Sequence, residues 1–207
     1  MRNKKITEMA FMSMFIAIEI VLVLTPLGYL PLGAISLTTM HIPVVVAGVI
    51  MGRKAGAKVG FVFGLTSLLN ATFRPTITSF CFSPFITIGG VSGNFSSILI
   101  AFIPRILLGY LAGLLYEFLT SKNVNGNFAA TLAGVCGAVV NTVLVLSMIY
   151  IFFGPQYAAA TGNEYAALIG VLLSVVATNG ILEAILAGCI TGVLNKALAP
   201  TIRKFKR

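Results

Sequence analysis

The length of the apolar stretches constrains this chain most strongly. From Asn123 to Asn163 no side chain is charged, and only 9% of all 207 residues are charged, whereas 58% are hydrophobic. A soluble domain carries about 25% charged residues. Because the shortfall extends along the whole chain, lipid must surround most of it, and we predict an all-α integral membrane protein.

Turn-forming residues divide the apolar sequence into six helices of one membrane domain that covers residues 1–207. The expected helices are about 6–24, 40–51, 57–70, 95–119, 128–153 and 164–198. We expect the second and third helices to be short, at about 18–21 Å, and the fourth to break near Pro104. The N-terminus resembles a signal peptide, but it contains Glu19 and no clear cleavage site, which favours a retained first helix.

The distribution of basic residues predicts how this six-helix bundle lies in the membrane. With six crossings, twelve of the fourteen Lys and Arg residues fall on one face, and Arg74 and Arg105 are the other two. The positive-inside rule makes that face cytoplasmic, so both termini are expected there, and the net charge of +9 indicates topology rather than binding to nucleic acid. The long connections 25–39 and 71–94 then become extracellular lid loops over a site that opens outward.

Polar side chains inside the membrane are costly and mark function by default. The candidate site residues are Glu19, His41, Asn70, Arg105, Asn141, Asn179 and Glu183. The rise along each helix places most of them in the outer half of the membrane. There Arg105 would offer a donor fork to a carboxylate or phosphate, and the asparagines would bind hydroxyls and amides.

Structural roles compete with each of these site assignments. Arg105 could pair with Glu19 or Glu183 instead of a ligand. Asparagines in membrane helices also form hydrogen bonds between helices, and His41 could serve as a helix cap or packing residue beside Pro43.

Motifs that carry catalysis are missing from the sequence. It contains one histidine, no phosphate-binding G-x-x-x-x-G-K-[ST] loop, no H-E-x-x-H and no G-x-S-x-G. Cys81, Cys136 and Cys189 lack the spacing of a metal or redox site. We therefore expect no enzyme activity, no cofactor and no metal site.

Helix one carries small residues at spacings of three and four. Ala10, Ser13 and Ala17 form a flat strip against which another helix can pack closely. The strip could dock a partner protein or pack inside the six-helix bundle.

Several stretches in order give the chain a resemblance that covers its whole length. They are His41-Ile42-Pro43-Val44 leading to Gly48, the turn Gly52-Arg53-Lys54-Ala55-Gly56, Pro104-Arg105-Ile106-Leu107-Leu108-Gly109, and finally Asn179 with Glu183. With six helices and a lid after helix one, the chain resembles the substrate-binding subunits (S components) of energy-coupling factor transporters.

The resemblance implies a mechanism. Such a subunit binds a vitamin with high affinity, associates with a transmembrane coupling (T) component and two ATPase subunits, and topples in the membrane. The family's Ala-x-x-x-Ala motif on helix one touches the coupling protein, and Ser13-x-x-x-Ala17 is the best match here. The resemblance also implies a bacterial plasma membrane as the location.

The His-Ile-Pro-Val and Pro-Arg stretches are most similar to pantothenate-type members of the family. Folate, biotin, and thiamine or pyrimidine precursors also suit one arginine and several amides. A small channel or facilitator is a further alternative, but it would need a continuous polar stripe through the cytoplasmic half.

Overall fold

A computed structural model describes the backbone of residues 2–32 and 35–206 and the side chains of residues 5–28 and 38–198. The helices are α1 (Arg2–Leu24), α2 (His41–Met51), α3 (Arg53–Phe73), α4 (Phe95–Ser121), α5 (Gly126–Ala160), α6 (Leu168–Val175) and α7 (Ile181–Lys206). A π-helical turn, Val176–Gly180, joins α6 to α7 without a break. Short 3₁₀ turns occur at Pro26–Gly28, Ser79–Cys81 and Tyr165–Ala167.

The described residues form an α-helical membrane protein. Four segments are long and apolar enough to cross a bilayer: Lys5–Leu24, Phe95–Ser121, Gly126–Ala160 and Tyr165–Leu198. The helix α2 is apolar but has only 11 residues, which is about half of what a spanning helix needs. Every residue of α2 except the last is buried, because the helix lies at the centre of the bundle.

Both of the connections that were predicted to be loops, 25–39 and 71–94, contain a short β-hairpin. In the first, β1 (Tyr29–Leu32) pairs antiparallel with β2 (Ile35–Thr38). In the second, β3 (Thr87–Ile88) pairs with β4 (Val91–Ser92) across Gly89 and Gly90, which both have positive φ. A Gly-Gly pair between two apolar residues is a known hairpin signal, so the second hairpin could have been predicted.

The prediction of a short third helix was wrong. The helix α3 begins at Arg53, immediately after Gly52, and its 21 residues extend for about 30 Å. Gly52 has φ +94, a conformation that L-residues rarely adopt, and it reverses the chain between α2 and α3 within a single residue. The basic residues that were assigned to a turn therefore form the first turn of α3.

The predicted break at Pro104 was also wrong, because a side chain repairs the helix there. Pro104 has no N–H, so the carbonyl of Ile100 loses its usual donor four residues later. The Arg105 guanidinium donates to that carbonyl from Nη1 at 2.6 Å, and α4 continues through the proline. In α5, by contrast, Phe153 leaves helical geometry just before Pro155, so the helix kinks near its predicted end and continues to Ala160.

Glycines let the central helices approach closely. A Cβ atom on Gly48 would lie 2.7 Å from the carbonyl oxygen of Gly109, and one on Gly56 would lie 2.8 Å from the Cα atom of Gly48. A Cβ atom on Gly134 in α5 would similarly meet the backbone of Ala187 in α7. We call Gly48, Gly56 and Gly109 the glycine seam of α2, α3 and α4.

Polar contacts tie together one end of the bundle, which we call the basic end. It comprises the turn at Gly52, the α4–α5 turn at residues 122–125 and the side chains next to them. Glu117 accepts the backbone N–H of Arg53 at 3.1 Å, and its second oxygen lies 3.7 Å from Arg53 Nε. Tyr116 donates to Asn195, which in turn donates to Asn127 at 3.0 Å. These bonds join α3, α4, α5 and α7.

Candidate ligand-binding site

A cavity of about 670 Å³ opens at the end of the bundle opposite the basic end. Leu24 at the end of α1, Asn70 near the end of α3 and Thr38 at the end of β2 all contribute to its wall. Its polar lining consists of Thr25, Thr38, Ser67, Asn70, Arg74, Thr76, Thr78, Ser79, Arg105, Asn141, Thr142, Asn179 and Glu183. The volume is within the range of pockets that enclose small organic molecules.

The structure brings most of the sequence-predicted residues to this cavity. Five of the seven line it: Asn70, Arg105, Asn141, Asn179 and Glu183. They come from α3, α4, α5, the π turn and α7, so the cavity gathers side chains that are far apart in the sequence. Glu19 and His41 are fully buried but do not contribute to the lining.

Glu19 faces the interior of the bundle and does not line the cavity. It lies one turn after Phe15 on the buried face of α1, and neither of its carboxylate oxygens has a hydrogen-bond partner among the described residues. Val23, one turn farther along the same face of α1, does line the cavity, so depth along the helix separates Glu19 from the site.

His41 lies behind the wall of the cavity. It is the first residue of α2, it is fully buried, and its ring is beside the backbone of Thr38 and Glu183. Both of these neighbours line the cavity. His41 therefore supports the wall from behind instead of facing the open space.

The Arg105 side chain forms one wall of the cavity and is held from three directions. Its Nη1 donates to Ile100 as described above. Its guanidinium carbon lies 5.5 Å from the ring centroid of Phe63 and 5.1 Å from that of Phe82, so aromatic rings flank the cation. It is also close enough to Glu183 for the two opposite charges to attract.

Glu183 links the first hairpin to the helical bundle. Its Oε1 accepts the backbone N–H of Thr38, the last residue of β2, at 2.8 Å. The same carboxylate lines the cavity and attracts Arg105. A change at this one side chain would therefore affect the hairpin and the cavity together.

The amide groups of Asn141 and Asn179 occupy different surroundings. Asn141 is buried, and its Oδ1 has no hydrogen-bond partner among the described residues, so this oxygen can accept from a ligand. Asn179 lies in the π turn and accepts from Thr178 at 3.2 Å. Single π turns inside α-helices are frequent at functional sites.

The second connection is anchored firmly to the bundle. Ser97 donates to the backbone carbonyl of Phe80 at 2.7 Å, and the hydroxyls of Thr72 and Ser83 are 2.7 Å apart. Between these anchors Cys81 is fully buried, and burial raises the pKa of its thiol to about 12. This connection is thus a fixed wall of the cavity.

Several lining residues were missed by sequence reasoning, which considered ionisable groups and amides within helices. Phe63 and Phe82 are among the missed residues, as are the hydroxyl residues Ser67 and Thr142. Phe63, Ser67 and Thr142 lie in membrane helices, where such side chains occur on every face and carry no distinctive signal, whereas Phe82 lies in the second connection. Arg74 had been assigned to a loop, although its charge near a helix end was a usable signal.

The structure also places the small-residue strip on α1. Ala10, Ser13 and Ala17 are exposed, whereas Phe15 and Glu19 on the other face are buried. Packing of the strip inside the bundle does not fit this exposure. The strip remains open to lipid or to another protein.

The lining is suited to binding rather than to bond breaking. It offers two guanidinium groups, one carboxylate, three asparagine amides and several hydroxyls beside aromatic walls. Within the described part of the chain, no three His, Cys, Asp or Glu side chains lie together as a metal site would require. The arrangement fits a small polar organic anion.

Comparisons with known proteins point in the same direction. Residues 7–194 match the family model "ECF transporter, substrate-specific component". The chain is 37% identical to a pantothenic acid transporter of Lactococcus lactis subsp. cremoris, over 99% of this chain and 97% of that protein. It is also 30% identical to a pantothenate transporter of Leuconostoc mesenteroides, over 97% of this chain and 96% of that protein.

Proposed function

Because the chain belongs to the family of substrate-specific components of ECF transporters, we propose that it is the high-affinity binding subunit for import of pantothenate. One observation carries this proposal. A single cavity collects a guanidinium, a carboxylate and asparagine amides in a chain that is similar over nearly its whole length to proteins named as pantothenate transporters.

The chemistry of pantothenate suits this lining. The molecule has a carboxylate, a central amide and two hydroxyl groups. Asn70, Asn141 and Asn179 can exchange hydrogen bonds with the amide and the hydroxyls, and Arg105 can donate from the nitrogens that do not bind Ile100. Glu183 can accept from a hydroxyl while it holds the first hairpin.

We propose six membrane crossings with both termini in the cytoplasm. In this topology the first hairpin extends the short α2 to complete the second crossing. The positive-inside rule supports this orientation, because the basic end carries the turns at Gly52 and residues 122–125 with their nearby Lys and Arg residues. The cavity then opens to the outside of a bacterial plasma membrane.

Uptake in this proposal requires partners. The binding subunit hydrolyses no ATP, and a transmembrane coupling (T) component with two ATPase subunits drives transport. The exposed strip Ala10, Ser13 and Ala17 supports docking of the coupling component on α1, since small side chains permit close contact between helices.

The proposed ligand is tested by equilibrium binding of radiolabelled pantothenate to the purified chain in detergent. We expect tight binding by the wild type and a loss of about 100-fold in Arg105→Gln, because a buried charged donor is removed. Lys122→Gln, an exposed change at the basic end, is the matched control. A folded wild type that binds another vitamin and not pantothenate contradicts the proposal.

The need for partners is tested by uptake in cells that lack their own pantothenate importer. Uptake is expected when this chain is expressed together with a coupling component and two ATPase subunits, and not when it is expressed alone. Equal uptake under both conditions would show a self-contained facilitator.

A further inference from the structure

Three ionisable side chains of the described residues line the cavity, and they are not equally available to a ligand. They are Arg74, Arg105 and Glu183. By formal charge two of the three are cations and one is an anion, so the lining has a formal excess of one positive charge. The position of that excess decides where an anionic group of the ligand binds.

Arg105 is largely committed to the protein. Its Nη1 donates a hydrogen bond to the carbonyl of Ile100, which Pro104 leaves without a backbone donor. Aromatic rings flank its guanidinium on two sides. Glu183 also attracts it and offsets its charge. A ligand carboxylate beside Arg105 would therefore compete with the Glu183 carboxylate and be repelled by it.

Arg74 is in the opposite situation at the mouth of the cavity. It directly follows the last residue of α3, its side chain is exposed, and Nη1 reaches the carbonyl of Val23 at a long 3.4 Å. None of the ion pairs formed by the described residues includes Arg74. Asn70 and Thr76, which are close to Arg74 in the sequence, also line the cavity. The excess positive charge of the lining thus belongs to Arg74.

We propose that Arg74 recognises the carboxylate of the ligand and thereby selects small carboxylate anions over neutral molecules of the same shape. This inference rests on the proposed function, because it assumes that the cavity binds pantothenate. Arg105 then holds the uncharged part of the ligand together with the asparagines. The carboxylate end points toward the cavity mouth, and the hydroxyl end points toward the wall formed by Arg105 and Glu183.

Pantothenol tests this assignment, because it replaces the carboxylate of pantothenate with an uncharged alcohol. Binding of both compounds is measured for the wild type, Arg74→Gln, Arg74→Lys and Arg105→Gln. The wild type should prefer pantothenate by about 10-fold or more, the gain expected for a charge-assisted hydrogen bond. Arg74→Gln should reduce this preference to about 1, because pantothenate binding weakens far more than pantothenol binding, and the pantothenol binding that remains shows that the variant is folded.

The other variants distinguish the role of Arg74 from that of Arg105. Arg105→Gln should weaken the binding of both compounds by the same factor and so keep the preference for pantothenate. Arg74→Lys should retain part of that preference. A preference that survives in Arg74→Gln, or one that disappears in Arg105→Gln, overturns the assignment. A folded wild type that binds neither compound instead rejects the proposed function, and this inference with it.

Discussion

The two ends of the bundle differ in the residues that form them, with glycines in close contact toward one end and polar side chains at the other. Toward the basic end, the glycine seam lets α2, α3 and α4 pack with backbones in contact, and the carboxylate of Glu117 joins two of them. At the cavity end, polar side chains line an open space, and a π turn and two hairpins interrupt the regular helices. The difference teaches that close packing at one end supports an open, polar space at the other.

The two connections at the cavity end also differ in the contacts that attach them to the bundle. The connection from Arg74 to Asn94 is held by buried side chains such as Phe80, whose carbonyl accepts from Ser97. The described part of the first connection is linked to the bundle through Thr38 and Glu183. We therefore expect the second connection to stay fixed when ligand enters.

The largest effect is expected in cysteine reactivity, which tests whether the second connection is fixed. With Cys136 and Cys189 replaced by Ala, Cys81 should react with a maleimide about 1,000-fold more slowly than Ser92→Cys in a cysteine-free chain. The reason is that burial raises the pKa of Cys81 to about 12, against about 8.5 for a free thiol, so little thiolate exists at neutral pH. Similar rates for both thiols would show that the second connection opens.

The next effect concerns the glycine seam. Gly56→Ala places a Cβ atom against the backbone of Gly109 and 2.8 Å from Gly48 Cα, so we expect a loss of about 1–3 kcal/mol in unfolding free energy. Gly170→Ala is the control, because a Cβ atom there meets nothing within 4 Å. Thermal unfolding in detergent measures both. Equal stability of the two variants would mean that the seam is not packed closely.

A smaller effect is expected where the hairpin and the cavity share one side chain. Glu183→Gln keeps an oxygen that accepts from Thr38 but removes the charge that strengthens this bond and attracts Arg105. Pantothenate binding should weaken by about 10-fold. The matched control is Glu164→Gln, a change at an exposed carboxylate outside the cavity lining. Unchanged binding in Glu183→Gln would show that the charge of this shared side chain does not link the hairpin to ligand binding.

The smallest effect is expected from the ion pair at the basic end. The side chains of Arg53 and Glu117 are 43% and 40% exposed, so solvent screens their attraction. Glu117→Gln should lower the unfolding free energy by less than about 1 kcal/mol and leave pantothenate binding unchanged. A clear loss of binding would show that the two ends of the bundle are coupled.

Much of the site was accessible from the sequence because membrane burial makes polar residues conspicuous. Asn70, Arg105 and Glu183 stood out in apolar surroundings, and the structure places all three in the cavity. Their roles in binding remain proposals. The residues that were missed, such as Phe63 and Thr142, are ordinary in membrane helices and become recognisable only through their neighbours.

The errors in the fold have local physical causes. Arg53 was assigned to a turn because it follows glycine and is charged, yet a single positive-φ glycine completes the turn. Pro104 was expected to break α4, but the prediction did not include the guanidinium that replaces the missing donor. The first error concerns the backbone conformation of one glycine, and the second concerns a side-chain hydrogen bond that forms only in the folded helix.

The sequence by itself determined the class of protein and its family. The shortage of charge requires a lipid environment, and the family match over residues 7–194 confirms the resemblance that was inferred from short motifs. Only the tertiary structure decided which polar side chains meet. Rise per residue gives only approximate heights, and packing between helices sets both the depth of the cavity and the rotation of each helix, so Asn141 lines the cavity whereas Glu19 is buried one turn below the lining residue Val23.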